Sequence, residues 1–309
     1  MRPDKVYVTV RQSPMYKQFT LDDLLCGTMP DNPLISLNET NTRTYVSDYI
    51  SPYVWYCSCE KFNSDLEAFN IRWAHLREVE DRHELYHSFK IPKRHGGWRP
   101  IDAPLPDLME ALRELKALIE EHGQYVRGKN IGALYHTSAF AYIRGRSCID
   151  AVKRHQSNES KWFAKLDLHN FFGSTTLDFV MRQLSIIEPF ASMIVIFGDK
   201  ELRNAIDLAF LDGVLPQGTP LSPLLTNIMM IPIDHALSNL FREFPVNGKA
   251  QHLIYTRYAD DFQISSRYTF DVKAVEQQVV QTLGQFEAPF TINAEKTRYG
   301  SSAGRNWNL

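Results

Sequence analysis

Cysteine is scarce in this chain. Four residues, Cys26, Cys57, Cys59 and Cys148, are spread through 309 positions, too few for a disulfide framework. Cys57-Ser58-Cys59 has no second pair at zinc-ribbon spacing, so a structural zinc is not expected. Long apolar runs are missing too. The longest, near Ala191–Phe197, is far too short to span a bilayer. The opening MRPDKVYVTVRQS lacks the unbroken apolar core of a signal peptide. These absences predict a soluble, cytoplasmic protein with no membrane partner. Net charge is close to zero, at −2, which excludes an indiscriminately basic binder of polyanions. Internal repeats and low-complexity tracts are absent as well.

What is present is a globular composition, 44% hydrophobic and 23% charged, sufficient for one large domain or two modest ones. Its charge is unevenly placed. Residues 86–165 hold 14 Lys/Arg against 8 Asp/Glu, a net of +6, which leaves −8 for the remainder. A phosphate-binding face beside a carboxylate-rich site would produce this gradient, although ordinary surface charge produces it as readily.

Apolar spacing supplies the elements. Leu66, Phe69, Trp73 and Leu76 predict a helix over 62–79, capped at Asn63 or Ser64. FKIPKRHGGWRPIDAP reads as a β-hairpin about Gly96-Gly97. Pro104 and Pro106 then open a helix through Leu108, Leu112, Leu115 and Ile119. Further helices are predicted over 149–155, 175–187 and 201–211. LPQGTP is a loop feeding one long apolar helix over 221–240, and 271–286 is a last helix. KWFAKLDL is a strand, LIYTRYADDFQISS a hairpin with an acidic tip, and residues 290–293 and 296–300 are extended. The pattern predicts an α+β fold, with helices backing one face of a small, mostly antiparallel sheet.

Two aspartates at a hairpin tip, Asp260 and Asp261, repel each other unless a cation lies between them. A solvated Asp-Asp turn would be the plainer reading if the pair stood alone. The strand FAKLDL delivers a third carboxylate, Asp167, to its C-terminal edge. If that strand lies beside the YADD hairpin, three hard oxygen ligands converge, and such a set suits Mg²⁺ and phosphate oxygens.

YTRYADDFQIS resembles the Tyr-x-Asp-Asp box of reverse transcriptases, and FAKLDLHNFFGS resembles their first catalytic-aspartate strand. LPQGTPLSPLLTNIMM is similar to the family's Pro-Gln-Gly loop and following helix. FKIPKRHGGWRPIDAP and SAFAYIRGRSCIDAVKRH resemble its two fingers motifs, and INAEKTRYG its palm lysine motif. Six motifs occur in the family's order over residues 90–300. The resemblance implies a right-hand polymerase fold, with a palm sheet backed by helices. It divides the chain into an N-terminal extension (1–85), fingers (86–160) and palm (161–309).

The same resemblance implies roles. Asp167 and Asp260 would hold two Mg²⁺ ions, with Mn²⁺ as a substitute; Asp261 would assist and the Leu168 carbonyl would be a further ligand. Arg99 would grip the triphosphate, with Lys93 as companion and Lys90 and Arg94 as alternatives. Phe172 occupies the steric-gate position that excludes a 2′-hydroxyl, with Phe171 the adjacent alternative; the expected substrate is therefore dNTP. Gln217 and Gly218 would pack against the nucleotide, and the helix N-terminus at Pro220–Leu221 would favour anions. The retained Gln217 argues against the mutagenic reverse transcriptases of diversity-generating elements. Lys296 would protonate the pyrophosphate leaving group.

The implied activity is RNA-directed DNA polymerisation, with an RNA template and primer and an RNA–DNA duplex as partners. The sequence reaches Asn306-Trp307-Asn308-Leu309 where the family enters its primer grip, and the family's thumb does not follow; a truncated sequence, poor processivity, or a partner (a dedicated non-coding RNA or a protein) supplying the thumb would each account for this. Retroelement mobility, a retron-like role and antiviral defence remain open as biological purposes. The alternatives are an RNA-binding, polymerase-like module without turnover, and an RNA-dependent RNA polymerase. A zinc hydrolase built on His83-Glu84-Leu85-Tyr86-His87 fits poorly, because the fingers hairpin begins within two residues; two helix-end imidazoles are the plainer reading.

Overall fold

The computed structural model describes residues 52–93, 96–127, 134–246 and 249–301. The first 51 residues of the N-terminal extension, Arg94 and the expected primer-grip segment lie outside them.

Helix α1 (Pro52–Arg72) buries Phe62, Leu66 and Phe69, residues three or four apart and so on one helical face. It begins at Pro52, well before the expected cap. A proline is tolerated there because its missing N–H would have no intrahelical partner; Asn63 instead donates along the helix to Glu67 at 2.7 Å. A short helix α2 (Ala74–Arg77) and a 3-10 turn (Arg82–Leu85) follow. The hairpin β1 (Tyr86–Pro92) and β2 (Trp98–Pro104) pairs in antiparallel register about Gly96 and Gly97, as expected. Both glycines take positive φ, 92° and 80°, which a turn this tight requires. Helix α3 (Pro106–Arg127) buries Leu108, Leu112, Leu115 and Ile119 on the predicted face.

Helix α4 (Cys148–Ser157) starts with a reciprocal cap between Ser147 and Asp150. Strand β3 (Trp162–Asp167) is followed by α5 (Phe171–Ser174), α6 (Leu177–Leu184), α7 (Phe190–Phe197) and α8 (Lys200–Asp207). The apolar run near 191–197 is thus a helix packed against α1, an element that periodicity did not reveal because it is apolar on nearly every face. The long helix expected over 221–240 is two, α9 (Ser222–Met229) and α10 (Ile231–Arg242). Pro232 lacks the N–H that a continuous helix would need, so the chain breaks at Met230. A small hairpin, β4 (Phe244–Val246) and β5 (Lys249–Gln251), was not anticipated. Strands β6 (Ile254–Tyr258) and β7 (Asp261–Ser266) form the expected acidic hairpin. Helix α11 (Val272–Gln285), capped by Asp271, and strand β8 (Arg298–Ser301) complete the described chain.

The central sheet is antiparallel in the order β6-β7-β3-β8. Because side chains alternate across a strand, Ala164, Leu166, Phe262, Ile264, Tyr255 and Arg257 share one face, which is buried and packed by α10. Phe163, Lys165, Asp167, Asp261, Gln263 and Ser265 share the other. There α4 covers only the far end, through His155, which bonds Ser265 at 2.6 Å and Thr256 at 2.8 Å. Helices therefore touch both faces, not one, and the acidic end of the second face is left uncovered by α4.

Candidate active site

Register brings the aspartates together. Asp167, the last residue of β3, lies directly opposite Asp261, the first of β7. The amide of Leu168 donates to the carbonyl of Asp260 at 3.0 Å, which ties the hairpin tip to the end of β3. Ala259 adopts φ 57° to make the turn. On the other side, Asn293 donates to the Asp167 carbonyl at 2.8 Å and carries the chain toward Lys296.

Two lysines complete this edge. Lys296 is 61% exposed yet stands 3.0 Å from both oxygens of Asp167, which is only 7% exposed. Lys165, two residues before Asp167 and on the same face, donates to Asp261 at 2.7 Å. Burial pushes the Asp260 carboxyl above the ordinary carboxylate range; Asp261 and Asp167 push it further, and Lys296 opposes them. The other oxygen of Asp261, Oδ1, is buried without a hydrogen-bond partner.

That orphaned oxygen is the kind of atom a divalent cation satisfies, and the hard carboxylates suit magnesium. Both Asp167 oxygens and Asp261 Oδ2 are bound by lysines, however, and among the described residues no three His, Cys, Asp or Glu side chains form a cluster able to hold a metal ion. The edge therefore gathers hard oxygen donors, and two of its three carboxylates are paired with lysine ammonium groups. The HExxH segment is not the pair of helix-end imidazoles expected: His83 lies in the 3-10 turn, 3.1 Å from Asp212, and His87 is on β1. Two histidines on different elements do not present the i, i+4 face of a zinc helix.

The expected nucleotide-contact residues fall on α5, on the Pro-Gln-Gly loop and on the β1–β2 hairpin. Phe172, the second residue of α5, is half-buried, with its ring centroid 5.8 Å from Phe171, while Phe171 is buried against Phe290 at 4.9 Å. The Gln217 carbonyl accepts from the Asp102 amide at 2.8 Å, so the Pro-Gln-Gly loop supports the base of the fingers hairpin. Gly218 has φ 115°, and an added Cβ would lie 2.8 Å from Ile101 Cγ2 and 3.0 Å from the Asp102 carbonyl oxygen. Only glycine fits there. The amide of Ser222, at the start of α9, is capped at 3.1 Å by the Thr219 hydroxyl. Lys90, Lys93 and Arg99 are exposed on the hairpin, and Arg99 lies within electrostatic reach of the Tyr142 hydroxyl.

Residues that sequence reasoning missed lie behind the aspartates. Arg257 and Asp234 are both fully buried and paired at 2.8 Å. Arg257 also donates to Asn227 Oδ1 at 3.1 Å and to the Ala259 carbonyl at 3.2 Å, beneath the acidic turn. Tyr255 donates to Asp234 at 2.8 Å. The lone charge of β6 and the one acidic residue of α10 were the available signal.

An aspartate-tipped hairpin set beside a third aspartate strand, on an antiparallel sheet with a fingers hairpin leaning on its loop, defines a right-hand polymerase palm and fingers. Residues 91–306 match the family profile described as "Reverse transcriptase (RNA-dependent DNA polymerase)". The chain belongs to the reverse transcriptase family. It is 30% identical over 227 residues to "Retron Ec83 reverse transcriptase" of Escherichia coli, covering 71% of this chain and 65% of that one. Its identity to "Retron Mx162 reverse transcriptase" of Myxococcus xanthus is 29% over 210 residues, covering 65% and 39%. The chain thus spans less than two-thirds of the length of these curated relatives. A solved structure of apo telomerase from Candida tropicalis, truncated from its C-terminal domain, aligns over 74% of this chain and 52% of its own. Its TM-score is 0.49 and its identity 13%, a likeness too distant to bear on function. Among the described residues no helix is long and apolar enough to cross a membrane.

Proposed function

We propose that this chain is an RNA-directed DNA polymerase that adds dNTPs to a primer 3′-hydroxyl on an RNA template. The observation that carries the reading is the cross-strand pairing of Asp167 with Asp261, with Asp260 tied to Leu168 at the same edge. In this reading residues 86–160 are fingers and 161–309 palm, and residues 1–85 are an N-terminal extension.

Asp167, Asp260 and Asp261, with the Leu168 carbonyl, are the groups that would hold two Mg²⁺ ions, or Mn²⁺ in their place. When bound, such ions supply Lewis acidity to the primer hydroxyl and charge neutralisation to the triphosphate. Arg99 and Lys93, exposed on the fingers hairpin, bind phosphate oxygens, the guanidinium as a fork and the ammonium as a point charge. Phe172 excludes a 2′-hydroxyl. Gln217 and Gly218 form the floor on which the base rests. Lys296 offsets the charge of Asp167 at rest and is placed to give a proton to the departing pyrophosphate.

A second reading draws on the lysine pairs. Lys165 and Lys296 neutralise two of the aspartates, as a polymerase-like RNA-binding module without turnover would require. Primer extension by the purified protein separates the two, with RNA and DNA templates, dNTPs against rNTPs, and Mg²⁺ varied. The expected result is dNTP extension on RNA that depends on Mg²⁺ and is abolished by Asp260→Ala with no loss of melting temperature, since that change also removes carboxylate repulsion. RNA retention with no incorporation at any Mg²⁺ or Mn²⁺ concentration would establish the binding module instead. Preference for rNTPs would make the protein an RNA-dependent RNA polymerase. Sequencing RNA that co-purifies with the protein addresses a dedicated non-coding RNA partner.

A further inference from the structure

Tyr142 is a side chain that the site described so far does not use. It has φ 61°, in the left-handed region that a bulky residue rarely occupies. It is 56% exposed, so no core packing compensates for that backbone. Its ring stands edge-on to Phe172, with centroids 6.5 Å apart and planes at 72°. The hydroxyl shares its surroundings with Asp260, Tyr258 and Arg99: partial burial raises its proton affinity, the Asp260 charge raises it further, and Arg99 opposes both.

The loop carrying Tyr142 is held from several sides. The Phe140 amide donates to the Arg257 carbonyl at 2.9 Å, and the Arg257 amide donates to the Ser138 carbonyl at 2.7 Å. Asn227 donates to the Ala141 carbonyl at 2.8 Å. Arg146 donates to the carbonyls of His136 and Ala139 at 2.7 and 2.8 Å. Asn227 in turn accepts from Arg257, whose guanidinium also supports Ala259 beneath the aspartates. A strained residue persists where its surroundings over-determine it. Here the surroundings fix the backbone that carries an exposed aromatic ring beside Phe172.

Resting on the polymerase reading above, we propose that Tyr142 is a second aromatic wall of the nucleotide-sugar pocket, set at right angles to Phe172 and positioning the incoming nucleotide between Arg99 and Asp260. The aromatic ring makes the contact. Tyr142 is thereby a specificity-determining residue alongside Phe172.

Tyr142→Gly tests this cleanly, because glycine accepts a positive φ without strain. The variant deletes the ring and keeps the loop, so its melting temperature stays at or above the wild-type value. Steady-state primer extension should show KM for dNTP raised about tenfold with kcat altered much less, as removal of one aromatic contact implies. Discrimination against rNTPs should fall, whereas Tyr142→Phe, which keeps the ring, should retain most of it. An unchanged dNTP KM and unchanged sugar discrimination in an active, folded Tyr142→Gly protein would overturn the inference. If the wild-type chain itself fails to incorporate dNTPs, the polymerase reading is what fails.

Discussion

Removing the carboxylate of Asp234 tests the architecture behind the acidic turn. The side chains of Asp234 and Arg257 have no solvent exposure. Asp234 accepts from Arg257 Nε at 2.9 and 3.1 Å, from Nη2 at 2.8 Å and from Tyr255 at 2.8 Å. Asp234→Leu fills a similar volume but leaves a guanidinium in the core without its counter-charge. Breaking a buried pair in this way costs roughly 3–5 kcal/mol, because the remaining ion keeps its desolvation penalty and loses its attraction. At about 2–4 °C per kcal/mol for larger chains, the melting transition should fall by roughly 6–20 °C. Thermal unfolding followed by circular dichroism reads this directly. Asp234→Leu combined with Arg257→Met removes both charges, so that only the Asn227 oxygen, the Ala259 carbonyl and the Tyr255 hydroxyl lose partners. Unsatisfied groups of that kind cost about 1–3 kcal/mol each when they stay buried and dry, and the turn carbonyl can relax toward solvent. The double variant should melt higher than Asp234→Leu alone, because it leaves no buried charge without its counter-charge. If Asp234→Leu shifts the transition by under about 2 °C, or the double variant melts lowest, the guanidinium is not the buried, carboxylate-dependent charge argued for here.

Three further outcomes follow from named contacts. Phe172→Val or Phe172→Ala should raise rNTP incorporation relative to dNTP, measured as a ratio of kcat/KM values; no gain would count against the gate assignment. Gly218→Ala should lower stability by about 1–3 kcal/mol, since it combines φ 115° with a Cβ 2.8 Å from Ile101; denaturant unfolding at neutral pH measures it. His155 is buried, and that burial pushes its imidazole from 6.5 down to about 4. Its folded pKa lies below its unfolded one, so its contribution is complete above pH 6.5 and is lost as pH falls toward 4. The loss is roughly 3 kcal/mol across that window, and His155→Gln should flatten that part of the pH–stability profile.

Much of the palm was legible because its signals are local. Alternation in LIYTRYADDFQISS marks a hairpin wherever that segment is placed, and the pair of glycines at 96–97 marks the other. The helix faces through Leu108–Ile119 and Leu66–Phe69 were visible from 3.6-residue spacing, but the break at Trp73, which puts Leu76 in a separate short helix, was not. Helix α7 was not, because an almost wholly apolar segment has no contrasting face, and Pro232 was passed over inside a run whose composition otherwise favoured one helix. The carboxylates were named from their strand ends alone. Their pairing with Lys165 and Lys296 was not foreseen, since a lysine's partner depends on which strands become neighbours.

By itself, the amino-acid sequence determined the set of acidic, aromatic and glycine positions and the elements that carry them, because periods of two and 3.6 residues arise within one segment. The tertiary structure alone decided that Asp167 faces Asp261, that Phe171 turns inward while Phe172 stays half-open, and that Asp234 meets Arg257 across separate elements. It also decided the left-handed backbone at Tyr142, imposed by hydrogen bonds from α9 and β6. Each of these depends on register and packing between segments distant in the chain, which no local pattern encodes.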